Sequence, residues 1–272
     1  MNARNVNQGA SLSAALQAIP PVTRCLLFAT ILTGALSSFG MVNPNNFLFI
    51  PSKILGNFEL HRLVLPVVFA GGFEFSFAMH LYFLYQNCKS YESDPFNTGA
   101  GGTSADFLWM VLVGTALLWP IGYYFQLFVL SQPMLYMIMY VWSRRKANEQ
   151  RNMFGVFTLP VPYIPWFYAA INLLMGNSVT PILIGIAVGH IYYYVIEVLP
   201  RTNGVDLLKT PTLCIRIINY LDGSQAPATR PQVPQQQGPN NQQRPLNQRA
   251  NQGFPNVGGG YNWGSGRTLG TQ

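Results

Sequence analysis

Residues 107–142 read FLWMVLVGTALLWPIGYYFQLFVLSQPMLYMIMYVW, a long run without one charged side chain. As a single α-helix it would be about 54 Å long at 1.5 Å per residue, against a bilayer hydrocarbon core of about 30 Å. One helix cannot fit, so the run has to fold back on itself. Pro120 and Gly122 fall near its middle and supply a break and a tight turn, which predicts two helices, Phe107 to Ile121 and Tyr124 to Trp142.

Outward from this hairpin, further apolar runs extend from Cys25 to Val42, Leu63 to Tyr85, Tyr163 to Met175 and Pro181 to Leu199, giving six spans. Composition points the same way. Charged residues are 9% of the 272, against 49% hydrophobic and 14% aromatic; a soluble domain usually carries roughly 25% charged residues, so a soluble globule is excluded. The net charge of +7 sits in short clusters between apolar runs and in the tail, a pattern of membrane topology rather than of nucleic-acid binding. Cys25, Cys88 and Cys214 have neither disulfide nor metal spacing, and no cofactor is expected. The polar N-terminus lacks the basic and apolar regions of a cleavable signal.

Orientation follows from the loop Ser143–Arg151, the strongest basic cluster, which the positive-inside rule places in the cytosol. Six spans then put both termini on that side and the Pro44–Glu59 loop on the other. The organisation expected is a cytosolic amphipathic segment over 1–22, a six-helix membrane domain over 23–200, a juxtamembrane amphipathic segment over 201–222, a disordered linker over 223–256 and a terminal motif over 257–272. In the third of these, Leu213, Ile217, Tyr220 and Leu221 share one helical face after Thr210-Pro211. Leu12, Ala15, Leu16 and Ile19 do so near the N-terminus, and both faces suit a membrane interface. The short fifth run, with Asn172, and the first run, with Thr30, Thr33, Ser37 and Ser38, fit an ordinary bilayer poorly. Such spans are accommodated by local thinning, or their polar groups face neighbouring helices.

Several residues carry more specific expectations. Gly185 and Gly189 form a Gly-x-x-x-Gly step that lets a neighbouring helix approach closely, and His190 beside them must find a hydrogen-bond partner at membrane depth. Glu74 and His80 fall in the second run, where a carboxylate has to be paired, protonated or wet. Two active readings stay open: an intramembrane serine protease using Ser131 and His190, and a proton or small-solute transporter using Glu74.

The stretches Ile19-Pro20-Pro21-Val22-Thr23-Arg24, Leu81-Tyr82-Phe83-Leu84-Tyr85, Ala105-Asp106-Phe107, Tyr140-Val141-Trp142-Ser143-Arg144-Arg145, Pro165-Trp166, Gly176-Asn177-Ser178 and Gly189-His190-Ile191-Tyr192 together resemble the derlins, rhomboid-like pseudoproteases of the endoplasmic reticulum. The resemblance implies a six-helix rhomboid-like bundle with cytosolic termini and no catalytic residues. It implies a role in endoplasmic-reticulum-associated degradation, where misfolded clients are retrotranslocated beside a membrane ubiquitin ligase complex. Whether the chain forms homo- or hetero-oligomers stays open. Derlins usually show a Trp-Arg pair after the luminal loop; this chain has His61-Arg62, so Arg62 is retained, either to snorkel to the interface or to tie the loop to the bundle, while an aromatic role at His61 is in doubt.

The C-terminus, Tyr261-Asn262-Trp263-Gly264-Ser265-Gly266-Arg267-Thr268-Leu269-Gly270, resembles the short motif by which derlins bind the N-domain of the cytosolic AAA+ unfoldase, valosin-containing protein. Trp263 and Leu269 are the apolar anchors, and Gly264 and Gly266 permit close backbone approach. The intervening tail of roughly 38 residues, as a flexible coil, reaches about 35 Å.

Overall fold

The computed structural model describes residues 18–153, 157–174, 176, 178–204 and 207–221. They form an all-α membrane protein with one small hairpin. Its principal helices are α1 (Pro21–Ser38), α4 (Phe75–Glu92), α5 (Ser104–Tyr124), α6 (Ser131–Arg145), α7 (Ile164–Leu174) and α8 (Thr180–Tyr193). Shorter helices are α2 (Pro51–Asn57), α3 (His61–Val68), α9 (Leu199–Asn203) and α10 (Thr212–Leu221). Strands β1 (Gln150–Met153) and β2 (Phe157–Pro160) pair antiparallel with Gln150 opposite Pro160. Among the described residues, Pro21–Ser38, Ser104–Tyr124 and the run Thr180–Thr202 are each long and apolar enough to cross a membrane. The last of these runs through a π turn at Tyr194–Val198, where the Leu199 N–H reaches back to Tyr194. Pro200 follows directly; its ring would clash with a regular α turn, and the wider turn makes room for it.

The fold is organised around α6. Nearly all its residues are buried, from Ser131 and Pro133 to Trp142 and Ser143, and it packs most extensively on α8 and next on α4. Ends of neighbouring helices are closed by buried carboxylates from elsewhere in the chain. Glu92, at the end of α4, accepts the Val22 N–H at 2.9 Å, the Thr23 N–H at 2.7 Å and the Thr23 hydroxyl at 2.6 Å, satisfying donors that the first turn of α1 leaves unpaired. Asp106 accepts the N–H groups of Ala100, Gly102 and Thr103 and the hydroxyls of Thr98 and Thr210. It thereby fixes the Gly-rich turn before α5 and the segment leading into α10.

Two sequence expectations are corrected. The hairpin does not turn at Pro120–Gly122: α5 continues through both to Tyr124, and α6 starts only at Ser131. The stop is a Schellman closure in which Gln126 takes φ +53°, its N–H bonding Tyr123 and the Leu127 N–H bonding Gly122 at 2.9 Å. Pro120 lies inside α5, one turn before its end, and costs that helix one backbone bond without ending it there. Likewise Leu63 to Tyr85 is not one span. The chain runs as α3 to Val68, leaves helical conformation over 69–74, and starts α4 at Phe75. Residues 43–74 therefore form a folded connection. It is held by the Phe49 N–H on Phe128 O at 2.8 Å, the Leu130 N–H on Pro66 O at 2.9 Å and Trp119 Nε1 on Leu63 O at 3.0 Å. The amphipathic segment before Ala18 and everything from Asp222 onward lie outside the described residues.

Candidate functional site

A cleft lies between α4 and α7. Each packs on α6 rather than on the other, and the Phe83 and Tyr168 rings, 4.7 Å between centroids and edge-to-face, bridge them. The cleft has a volume of about 180 Å³ and is lined by Tyr82, Gln86 and Asn87 of α4, Tyr168 of α7, and Arg151 and Asn152 of β1. Arg151 lies over the Trp142 ring at 4.8 Å, so the hairpin adds one cation to the lining of an otherwise neutral groove. Deeper along α7, Asn172 Nδ2 donates to Tyr168 O at 2.9 Å and to the Tyr136 hydroxyl at 3.1 Å. The second of these bonds ties α7 to α6 beyond the residues that line the cleft.

Helix lengths add to this. At 1.5 Å per residue, α6 with 15 residues and α7 with 11 span roughly 22 Å and 16 Å, less than a hydrocarbon core of about 30 Å. Beyond α6 the basic end is fixed by Asp94, which bonds Arg145 Nη2 at 2.7 Å and lies 3.3 Å from Lys146 Nζ. The Arg145 guanidinium holds the Asp94 carboxyl below the usual carboxylate range. This clamp is therefore intact at neutral pH and is lost as pH falls through that lowered value.

The Gly-x-x-x-Gly step faces α6 directly. A Cβ on Gly185 would run into the Pro133 carbonyl and come within 2.8 Å of Tyr136 Cβ; one on Gly189 would stand 3.1 Å from Met137 O and from Tyr140 Cβ. His190 bonds the Tyr140 hydroxyl through Nδ1 at 2.7 Å, and Arg144 Nε donates to the same hydroxyl at 3.0 Å. Ser131 is engaged elsewhere, its hydroxyl donating to Phe69 O at 2.7 Å. From Ser131 to Tyr140 along α6 is about 13 Å, so a Ser131–His190 dyad is not assembled.

Arg62 is 2% exposed. Its Nη1 donates to Asn45 O at 2.5 Å and Leu48 O at 3.1 Å, while Nε pairs with Glu59. That pairing holds the Glu59 carboxyl below its ordinary range. His61, one residue earlier, is exposed. Glu74 is the exposed N-cap residue of α4, at the end of a span rather than inside it, and His80 is half-buried on α4. Trp263, Gly264, Gly266 and Leu269 lie outside the described residues. No group of three His, Cys, Asp or Glu among the described residues is arranged to hold a metal.

Sequence reasoning missed the cleft. Tyr82, Gln86 and Asn87 at steps of four and one do mark a polar stripe on α4. Nothing local ties that stripe to Tyr168 or to Arg151, which read only as part of the basic cluster.

Among known families, the chain matches the Der1-like family over residues 19–212. Derlin-1 of Arabidopsis thaliana is 31% identical over 202 residues, 74% of each chain. Derlin-1.2 of Zea mays is 31% identical over 215 residues, 78% of this chain and 87% of that one. Derlin-2.2 of Arabidopsis thaliana is 30% identical over 205 residues, 71% of this chain and 82% of that one.

Proposed function

The chain belongs to the Der1-like family, and from that premise we propose that it acts without catalysis in endoplasmic-reticulum-associated degradation. It gives misfolded polypeptides a route across or out of the membrane, beside a ubiquitin ligase complex, toward a cytosolic AAA+ unfoldase recruited by its tail. The termini and the basic end of α6 are cytosolic in this reading.

The observation that carries the proposal is the polar cleft between α4 and α7. An extended chain crossing hydrocarbon must satisfy its backbone N–H and C=O groups. Neutral donors and acceptors such as Gln86, Asn152 and the Tyr82 and Tyr168 hydroxyls suit that need without selecting a sequence. The short α6 and α7 favour a locally thinned bilayer, which shortens the path. The protease alternative is disfavoured by the separate engagements of Ser131 and His190. Transport through Glu74 is disfavoured by its exposed place at a helix end.

Depleting the protein should lengthen the half-life of a misfolded membrane reporter. Restoring it as Tyr82→Phe with Gln86→Leu should leave the protein at normal levels yet the reporter still stabilised several-fold. A reporter cleared at the normal rate by that variant would remove the cleft from the mechanism.

Recruitment is tested separately. A peptide covering residues 257–272 should bind the purified unfoldase N-domain, and Trp263→Ala with Leu269→Ala should weaken binding by roughly thirtyfold or more, the scale of a lost aromatic anchor worth over about 2 kcal/mol. Equal binding by the two peptides would return the tail to the role of a spacer.

A further inference from the structure

Helix α10 presents two apolar surfaces. Cys214 and Ile218 are buried at 2% and 6% exposure, and the helix packs on α5 and α1. At about 100° per residue, Leu213, Ile217, Tyr220 and Leu221 continue the same apolar arc, but they are 64%, 40%, 87% and 45% exposed. Arg216 stands at the edge of this face, about 40° from Tyr220, and Thr212, about 40° further round on the polar side, is exposed as well. Two residues of the apolar arc are therefore covered by protein, and four are not.

The position of α10 identifies what covers the rest. Thr210, two residues before it, is pinned by its N–H to Thr98 O at 2.8 Å and by its hydroxyl to Asp106 at 2.5 Å. Asp106 lies in the first turn of α5, one of the helices long and apolar enough to cross the membrane. The Asp94 clamp to Arg145 puts this end of α5 on the same side as the basic end of α6. So α10 starts where α5 enters the bilayer, with its uncovered face directed away from the bundle. At that level a soluble helix would leave four large apolar side chains in water. A helix lying in the interface immerses them and sets Arg216 among headgroup phosphates.

We propose that α10 is an in-plane membrane helix, its Leu213–Ile217–Tyr220–Leu221 face inserted at the boundary of headgroups and acyl chains in the leaflet on the basic side. The occupant of the face is phospholipid. The inference rests on the membrane character of the chain and not on its role in degradation, so the two stand or fall separately. One consequence is that the chain beyond Leu221 departs from the bilayer surface and not from the end of α9.

The full chain tests this in phosphatidylcholine–phosphatidylserine nanodiscs. Cys25 is exposed while Cys88 and Cys214 are buried, so a Cys25→Ser background leaves little competing reactivity. An environment-sensitive fluorophore is then placed at Ile217→Cys, Tyr220→Cys or, as the control on the polar side, Thr212→Cys. Lipids with a nitroxide high on the acyl chain should quench the first two at least threefold more than the third. Similar quenching at all three positions overturns the proposal. So does a label at 217 or 220 that is shielded from aqueous iodide yet untouched by nitroxide lipid, since protein then covers the face. Removing residues 223–272 tells whether that protein is the tail, which would expose the label, or a second copy, which would not.

Discussion

Gly185→Leu is expected to abolish the folded yield of the protein. The clash it creates is with backbone: the Pro133 carbonyl occupies the space a Cβ would take, and Tyr136 Cβ is 2.8 Å from it. Overpacking by side chains that can rotate away costs about 1–3 kcal/mol; here α8 itself must move off α6, the most extensive helix contact in the bundle, and the loss should exceed that range. Gly189 is graded below it, because its Cβ would meet Met137 O and Tyr140 Cβ at 3.1 Å, tight but accommodated by a small shift. Gly189→Ala should therefore keep the fold with a lowered Tm, and Gly185→Ala should fall between that and Gly185→Leu. Detergent size-exclusion profiles and thermal melts of the four proteins give the order directly. A monodisperse Gly185→Leu protein with the wild-type Tm would mean that the two helices are not in backbone contact.

That contact was readable in the sequence because it depends on local spacing: two small residues four apart put a flat surface on one helix face, whatever the partner. The apolar stretches that became the helices Pro21–Ser38, Ser104–Tyr124 and the run Thr180–Thr202 were readable for the same reason. What failed were the turns. The α5–α6 closure uses Gln126 in the left-handed region, where Gly122 and Pro120 were the stronger local signals. The 69–74 break interrupts a run whose composition alone, Leu63 to Tyr85, looks continuous. The 69–74 break and the start of α6 are set by tertiary bonds, such as Leu130 N–H to Pro66 O and Ser131 Oγ to Phe69 O, between residues more than sixty apart. The cleft was hidden in the same way, since Tyr82, Arg151 and Tyr168 meet only when α4, the hairpin and α7 are assembled around α6.

Arg62→Ala should unfasten the connection between α1 and α4 while leaving the helices in place. Arg62 is the one buried cation among the described residues, and it holds three points at once: the carbonyls of Asn45 and Leu48 and the carboxylate of Glu59. Truncation leaves two acceptors facing a cavity the size of a guanidinium. An unsatisfied buried acceptor costs about 1–3 kcal/mol, so a net loss on the order of 3 kcal/mol is expected once water partly refills the space. Arg62→Lys keeps the charge but offers no planar fork and cannot reach both carbonyls and Glu59 together; it should recover less than half of the loss. His61→Trp, which restores the pair usual in derlins at an exposed position, should change stability by less than about 0.5 kcal/mol. Limited proteolysis reads the local effect, with new cleavage expected within residues 43–60 of Arg62→Ala and an unchanged pattern for His61→Trp. If Arg62→Ala resists the protease as the wild type does, and melts at the same temperature, the fold of this connection comes from its packing under Phe49, Trp119 and Leu130 and not from the arginine.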